Sequence, residues 1–481
     1  MRDERSDRRA AGGLLLLSLA LAAACCALWG CTSHMAYRAK AGYLRRPAPG
    51  VSISVIELDD HGELWSRGQV NKALGVINQA QGGTEGPGAV VVVFVHGWQN
   101  NASHGNEDDP NGNLYNFKET LRKVRALEMQ STAPNEVPRA VAGVYIGWRG
   151  EAIHPFLGFQ LLSFYNRYNA ARRVAASPAP TEAILSVLKV GSANPRSRTV
   201  VIGHSFGGLI LEKALSQPLV NLATDSALSQ LNAQGASRVE PAEFPADLIV
   251  LVNPASPALF ARSLLSSLEA WALPAKDPVD ARFACKGTPR WRPLIVSVTS
   301  KGDSATGTAF PLGTTLGYSL QRYRDYDGRG PDDAPVDNAK QGQRYYATHT
   351  EGHVEQLFSH TLDHQSAPPI SGEAQPCDND PCAHPDVLCY RSGSSRFTLT
   401  RLTGTNNVGS PYWIMQAPVS LIADHSAIFV QPFVEMLGGL LDVVGIVAPT
   451  STAAPTTVHQ PRALAPAGGA PPAPQNPPPQ D

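Results

Sequence analysis

Apolar residues along the chain fall into short continuous runs that alternate with longer amphipathic stretches. The run at residues 89–95, AVVVVFV, is apolar at every position and rich in β-branched residues. A strand that is apolar on both faces is typical of the middle of a parallel sheet covered by helices on both sides. Similar runs predict five further strands, at residues 140–146, 199–202, 248–252, 294–298 and 412–415.

Two other patterns complete the predicted architecture. Residues 51–56, VSISVI, alternate between apolar and polar positions and predict another strand. Strands that alternate with helices predict right-handed crossovers, so we expect an α/β protein with a doubly wound, mostly parallel sheet. Residues 64–77 fit a short helix or a strand. Helix-like stretches separate the strands at residues 117–129, 156–174, 181–190, 208–215 and 257–272.

Two segments interrupt this alternation. Residues 304–410 are rich in Gly, Asp, Tyr and His and are too long for an ordinary loop. We interpret them as an insertion, with a lid or a cap as its hypothetical role. From residue 447 the chain is rich in Ala, Pro and Thr, so it cannot bury enough surface to offset its ordering entropy. Residues 447–481 are therefore predicted to be a disordered tail, which leaves the folded domain at residues 51–446.

The N-terminus carries the pattern of an export signal. Four arginines in the first ten residues precede an apolar run at residues 14–28, which has the length of a signal-peptide core and is short for a membrane span. The run leads into Leu-Trp-Gly-Cys at residues 28–31. A Leu three positions before a Cys resembles the bacterial lipobox, in which the Cys thiol is acylated. We predict a lipoprotein signal peptide at residues 1–30, an acylated Cys31 and a tether at residues 31–50.

The alternative is an ordinary signal peptide that happens to end near a cysteine. If Cys31 is acylated, its lipid is an anchor and does not span the bilayer. Thr32 follows Cys31 where Asp would direct retention, by resemblance to enterobacterial lipoprotein sorting. The predicted location is the bacterial cell envelope, at the outer membrane facing the periplasm or the cell surface.

The net charge and the cysteine content bear on the partners and the disulfides of the chain. The formal net charge of −1 gives no electrostatic signal for nucleic acid, and none is expected as a partner. An even number of cysteines beyond the acylation site predicts two disulfides in an exported chain. Free thiols, or a zinc site that uses His384, are the alternatives. The four cysteines concerned are Cys285, Cys377, Cys382 and Cys389.

The strongest chemical signal is Gly-His-Ser-Phe-Gly at residues 203–207, directly between a predicted strand and a helix-like segment. Such a turn holds a serine above the sheet, because small residues two positions before and after it relieve backbone crowding. The start of the helix also directs N–H groups and a positive dipole end at the serine. Ser205 is the candidate nucleophile, and a structural turn with an incidental serine is the alternative.

An acyl-transfer site also needs two backbone donors for a developing oxyanion. One is expected from the residue after the nucleophile, Phe206, and the other from the loop after an earlier strand. His96 and Gly97 close the strand at residues 89–95, so the N–H of Trp98 is the second candidate. The alternative is that His96 and Gly97 only form a tight turn.

These motifs resemble those of a known group of enzymes. VVFVHGW at residues 92–98 and VVIGHSFGG at residues 200–208 resemble the bacterial esterase/lipase branch of the α/β-hydrolase superfamily. GWRG at residues 147–150 also resembles a subset of it. The resemblance covers roughly residues 88–304 and 411–440. It implies the α/β-hydrolase fold and a triad of Ser, Asp or Glu, and His, but no particular substrate.

The acid and the histidine follow the nucleophile in that fold. Asp303 comes just after the strand predicted at residues 294–298, at the sheet edge where ligands of open α/β sheets bind. The loop after residues 248–252 carries no carboxylate, which favours Asp303 over a second acid site. A loop Asp that only caps a turn is the alternative. His425 follows the last predicted strand and is the candidate base, with His353 as the first alternative.

Together these residues predict a serine hydrolase that cleaves carboxylic esters through an acyl-enzyme, with no metal or organic cofactor. The expected substrate is a small-molecule ester or a lipid ester. An acyltransferase, a thioesterase or a peptidase uses the same nucleophile and oxyanion donors, so these activities stay open. A non-catalytic envelope lipoprotein that uses the fold as a binding scaffold is the alternative from another class. The sequence indicates no oligomeric state.

Overall fold

A computed structural model describes residues 35–38, 44, 47–132, 135–151, 160–232, 244–268, 293–317, 342–370, 372, 374–377, 386–402 and 410–443. All of them belong to the first of two units into which the chain divides, Met1–Pro449 and Thr450–Asp481. The predicted signal peptide, Cys31 and the tail at residues 447–481 lie outside the described residues. No helix within the described ranges is long and apolar enough to cross a membrane.

Seven parallel strands form the main sheet. They are β1 (Val51–Glu57), β2 (Ala89–Val95), β3 (Ala140–Gly147), β4 (Arg198–His204), β5 (Leu248–Val252), β6 (Ile295–Ser300) and β11 (Tyr412–Ala417). Their order across the sheet is β1-β3-β2-β4-β5-β6-β11. Every predicted strand is therefore present, and the chain is an α/β protein with a parallel sheet. Because all seven strands are parallel, their carboxyl ends meet at one edge of the sheet.

Helices cover both faces of this sheet. The described helices are α1 (Arg67–Gln81), α2 (His104–Asp108), α3 (Asn113–Ser131), α4 (Gln160–Ala176), α5 (Pro178–Gly191), α6 (Phe206–Asn232), α7 (Ala258–Leu268), α8 (Phe310–Gly317), α9 (Gln343–Thr348) and α10 (Gln431–Val443). Side chains of α1, α4, α5, α6 and α7 enter the core on one face, and those of α3 and α10 enter the core on the other. Along β2, Val91, Val93 and Val95 point to the first face, while Val90, Val92 and Phe94 point to the second.

The segment predicted as an insertion contains a second sheet. Its four antiparallel strands are β7 (His360–Ser366), β8 (Gln375–Pro376), β9 (Val387–Ser392) and β10 (Ser395–Arg401), in the order β7-β10-β9-β8. A disulfide joins Cys377 to Cys389, while Cys285 and Cys382 lie outside the described residues. The Tyr390 hydroxyl of β9 donates to the Met436 carbonyl of α10 at 3.0 Å. This sheet therefore packs against α10 as part of the domain core.

The described part of the predicted tether is packed against the domain. The backbone N–H groups of Tyr37 and Arg38 donate to the Glu57 carboxylate at 2.7 and 2.9 Å. The Arg38 side chain pairs with Glu107 at 2.6 Å and donates to the Ala102 carbonyl at 2.9 Å. Arg38 is only 6% exposed, so this segment is fixed at the carboxyl end of β1.

Candidate active site

Ser205 occupies the tight turn between β4 and α6. Its backbone φ is +56°, a left-handed value that is costly for a residue with a side chain and that concentrates at functional sites. Glycine is required on both sides of it: a Cβ on Gly207 would lie 2.1 Å from the Val95 carbonyl oxygen, and one on Gly203 would lie 2.8 Å from the Gly207 oxygen. The turn therefore depends on the small residues that the sequence motif supplies.

Three side chains predicted from separate parts of the sequence are in contact at this edge. The His425 Nε2 atom lies 2.8 Å from Ser205 Oγ, and its Nδ1 atom lies 2.8 Å from Asp303 Oδ2. Asp303 follows β6 and His425 follows β11, so both belong to loops at the carboxyl ends of parallel strands. The Asp303 side chain is fully buried, whereas 20% of the His425 side chain is exposed. The carboxylate is thus shielded from water while the imidazole stays accessible.

Asp303 is stabilised as a carboxylate. Burial alone would raise its pKa, but hydrogen bonds and charge interaction with His425, together with hydrogen bonds from Thr306, lower the pKa below its ordinary value. The Thr306 N–H donates to Oδ1 at 3.0 Å, and the Thr306 hydroxyl donates to Oδ2 at 2.5 Å. An ionised carboxylate at this position can orient the imidazole and stabilise its positive charge.

His353, the alternative base, lies behind the acid. Its Nε2 atom is 3.0 Å from the Thr306 hydroxyl oxygen. Because the Thr306 proton is donated to Asp303, the hydroxyl accepts from His353, which assigns the proton of the neutral ring to Nε2. His353 therefore contacts Thr306, the residue that binds the Asp303 carboxylate, whereas His425 contacts Ser205.

Two residues that sequence reasoning missed hold the backbone of His425. The His425 carbonyl accepts from His204 Nε2–H at 2.9 Å and from Asn253 Nδ2–H at 2.9 Å. Asn253 directly follows β5 with φ +45°, and its Oδ1 accepts from the Ser300 N–H at 2.8 Å. An amide side chain at the carboxyl end of a buried strand was the available signal, although it does not reveal the partner.

The loop after β2 lies directly against Ser205. A Cβ on Gly97 would lie 2.6 Å from the Ser205 Cβ, so the chain that carries Trp98 can approach the serine only through a glycine. His96 fastens this loop, because its Nδ1–H donates to the Gly97 carbonyl at 2.9 Å and its Nε2 accepts from the Trp148 N–H at 3.0 Å. The backbone N–H groups of Trp98 and Phe206 stay the predicted oxyanion donors.

An aromatic cluster borders the serine. The Phe164 ring lies 5.4 Å from Trp98 and 5.3 Å from Phe206, between ring centroids. Tyr168 lies 5.7 Å from Phe206 and 5.4 Å from Phe310. Phe206, Tyr168 and Phe310 are buried in the core, whereas Trp98 and Phe164 are partly exposed. Within the described residues, no group of His, Cys, Asp and Glu is arranged to hold a metal ion.

Two buried histidines at this site predict sensitivity to acid. Burial lowers the pKa of His96 to about 4 and that of His204 to about 3, from an ordinary 6.5. Below pH 6.5 the unfolded chain therefore binds protons that the folded chain does not. Their stabilisation is present above that pH and is lost as the pH falls toward the folded pKa values. As the pH falls below 6.5, each histidine should lower the free energy of unfolding with a slope that approaches about 1.4 kcal/mol per pH unit.

Urea unfolding at pH values between about 7 and 5 measures this dependence. The variant His204→Asn removes one of the two groups and should reduce the slope. A free energy of unfolding that stays constant as the pH falls through this range would contradict the prediction.

The sequence matches no known protein-family model and no curated protein. Among solved structures, the chain is similar to the structure of the Tle1 effector bound to the VgrG spike from the Type 6 secretion system. That similarity has 10% sequence identity and a TM-score of 0.17, over 65% of this chain and 68% of the other. Similarity at this level identifies no family.

Proposed function

We propose that this protein is a serine hydrolase of the α/β-hydrolase fold that cleaves carboxylic esters. The observation that carries the proposal is the continuous chain of hydrogen bonds from Ser205 through His425 to Asp303, with both distances at 2.8 Å. A serine hydroxyl becomes a useful nucleophile only when an adjacent base can take its proton, and the base is effective when a third group orients it. The three side chains meet these geometric requirements.

The proposed reaction has two halves. His425 accepts the Ser205 proton while the serine oxygen attacks the acyl carbon, and the N–H groups of Trp98 and Phe206 receive the negative charge that develops on the carbonyl oxygen. The alcohol leaves with the proton from His425, and an acyl-enzyme remains. Water then attacks the acyl carbon, gives a proton to His425, and releases the acid as the proton returns to Ser205.

The surroundings support this assignment of roles. The lowered pKa of Asp303 keeps a negative charge beside the imidazolium that forms in each half-reaction. Trp98 and Phe164 are the partly exposed members of the aromatic cluster, and they give an apolar acyl group a surface to contact beside the serine. The other three rings, those of Tyr168, Phe206 and Phe310, are buried behind them. An ester with an apolar acyl chain is therefore the proposed substrate class.

Turnover of soluble p-nitrophenyl esters of graded acyl length, with a matched thioester and a matched anilide, tests the proposal. We expect ester turnover that rises as the acyl chain lengthens, because each added methylene contacts the aromatic cluster. Faster turnover of the thioester or the anilide than of the ester would replace ester hydrolysis by one of the alternative activities. Absence of any turnover or Ser205 adduct would favour a non-catalytic scaffold.

Asn253→Ala should reduce activity by about 10- to 100-fold, because a small displacement of a reacting group has an effect of that size. The variant removes one of the two hydrogen bonds to the His425 carbonyl. Steady-state kinetics on the preferred ester measure the effect, which should fall on kcat. Asn116→Ala is a matched control, since Asn116 is a partly exposed residue of α3 whose amide donates to local carbonyls. Equal kcat values for the two variants would contradict the positioning role of Asn253.

We further propose that Cys31 is acylated and anchors the protein in the bacterial envelope. The support is the sequence alone: an apolar run of signal-peptide length that ends in Leu-Trp-Gly-Cys. Intact-mass measurement of the protein purified from membranes should give a chain that begins at Cys31 and carries acyl chains. Cys31→Ser should abolish that modification, whereas Cys26→Ser should leave it unchanged. A mature chain that begins elsewhere and carries no lipid would contradict the anchor.

A further inference from the structure

Large apolar side chains that are exposed to solvent are unevenly distributed over the described residues. Two of the eight, Met129 and Val137, lie at the edge of the main sheet opposite the site. Met129 is near the end of α3, and Val137 precedes β3. The others lie around the edge that carries Ser205. They are Met35, Trp65, Tyr165, Leu312, Val419 and Val430, which we call the apolar rim.

Contacts of their neighbours locate the rim residues. Met35 and Trp65 line a cleft of about 290 Å³ with Leu58, Trp148 and charged side chains of the loops that follow β1 and β3. Val419 follows β11, and its side chain lies beside Gly302 in the loop that carries Asp303. The rim therefore includes positions on both sides of the site.

Leu312 and Tyr165 extend the rim past the aromatic cluster. Leu312 precedes Gly313, where an added Cβ would lie 3.0 Å from the Phe164 ring. Tyr165 follows Phe164 directly and is 44% exposed, while Leu312 is 64% exposed. Val430 lies five residues after His425, just before α10. Exposed apolar side chains that are concentrated along one edge of a domain mark an interaction surface.

The N-terminal segment ends at the same edge. Arg38 is buried and paired with Glu107, and Glu57 at the end of β1 binds the backbone of Tyr37 and Arg38. Met35 is only four positions after Cys31, and four steps along the chain span at most about 14 Å. Acyl chains on Cys31 would therefore hold this edge of the domain near the bilayer surface.

We propose that the apolar rim docks onto the lipid bilayer, with the edge that carries Ser205 facing the membrane, and that the substrate is an ester carried by an amphiphile of that membrane. The proposal rests on the proposed ester hydrolysis and on the proposed anchor. A bilayer explains the rim better than a protein partner does, because the rim residues come from several separate segments spread along one edge of the domain. The short connection to Cys31 also brings the same edge to the lipid.

Vesicles of phosphatidylethanolamine and phosphatidylglycerol that carry the full-length acylated protein test this arrangement. Two substrates are compared: a fluorogenic long-chain ester embedded in the vesicle and a soluble short-chain p-nitrophenyl ester. Leu312→Ser combined with Val419→Ser alters the rim, and Met129→Ser combined with Val137→Ser alters the opposite edge as a matched control. All four side chains are more than half exposed, so both variants should fold.

The rim variant should hydrolyse the embedded ester about tenfold more slowly than the unaltered protein, with no change on the soluble ester. The control variant should match the unaltered protein on both substrates. Equal turnover of the embedded ester by the rim and control variants would overturn the proposal. The rim would then be a surface for a protein partner. An equal fall on both substrates would also overturn it. Failure of the unaltered protein to hydrolyse the soluble ester is a separate outcome that would overturn the proposed function.

Discussion

Ser205→Ala is expected to lower ester turnover by about 10⁴- to 10⁶-fold, the range found when an activated serine nucleophile is removed. The variant leaves the proposed oxyanion donors and the aromatic cluster in place, so residual activity above the uncatalysed rate is expected. Without Oγ, His425 has no hydroxyl to deprotonate, and no acyl-enzyme can form. Steady-state kinetics on the best soluble ester, with circular dichroism to check the fold, measure the effect.

Ser426→Ala provides the control for that variant. Ser426 is an exposed serine next to His425, and its backbone N–H, which the substitution keeps, donates to Asp424 at 2.8 Å. Its hydroxyl has no place in the proposed reaction, so kcat should change less than about threefold. Turnover by Ser205→Ala that stays within tenfold of the Ser426→Ala rate would contradict the role of Ser205 as nucleophile.

His425→Ala is expected to lower turnover nearly as much as Ser205→Ala does. In a Ser-His-Asp triad, loss of the histidine alone has about the same effect as loss of the serine. His353→Ala should retain more than about one tenth of the activity, because the His353 Nε2 atom bonds the Thr306 hydroxyl and not Ser205. Both histidines are partly buried near Asp303, so the pair of variants distinguishes their roles under matched conditions. The kcat of each variant on the same ester is the measurement.

The same pair separates the two candidates for the base. If His353→Ala abolishes turnover while His425→Ala retains it, the assignment of His425 is wrong. Turnover by His425→Ala in the presence of added imidazole is a second measurement. A small base that enters the space left by the histidine ring should restore part of the turnover. Restoration is not expected for His353→Ala, because its ring does not contact Ser205.

The main sheet could be predicted from the sequence because its strands are buried on both faces. β2 and β5 are continuous apolar runs, and their predicted ends coincide with the observed ends. The pattern of residues 64–77 fits either a helix or a strand. These residues contribute to helix α1, which is capped by Gly82 in a left-handed conformation. The loops that carry the acid and the histidine could also be located, because chain order and strand ends constrain them.

The second sheet could not be predicted in the same way. β7, with the sequence HTLDHQS, is polar at most positions, and only one of its faces is buried. Its pairing with β10 depends on contacts between residues that are distant along the chain. Short alternating strands of this kind give a weak pattern, and their register follows from tertiary contacts.

The two side chains that bind the His425 carbonyl could not be predicted for a different reason. His204 and Asn253 act on the backbone carbonyl of His425, more than 170 positions away along the chain. A carbonyl oxygen has no sequence signature, so the side chain that binds it cannot be identified from composition or spacing. Packing of the N-terminal segment was also unexpected, because Arg38 is a polar residue whose burial depends on its partner Glu107.

The most direct test of the account is covalent labelling of the full-length protein with a fluorophosphonate, followed by intact-mass measurement and peptide mapping. The probe phosphonylates a serine only when that serine is activated by a base and its site can accept a tetrahedral oxyanion. We predict one adduct per chain, located on Ser205 and absent from both Ser205→Ala and His425→Ala. Absence of an adduct on the folded protein, or an adduct on another serine, would contradict the account.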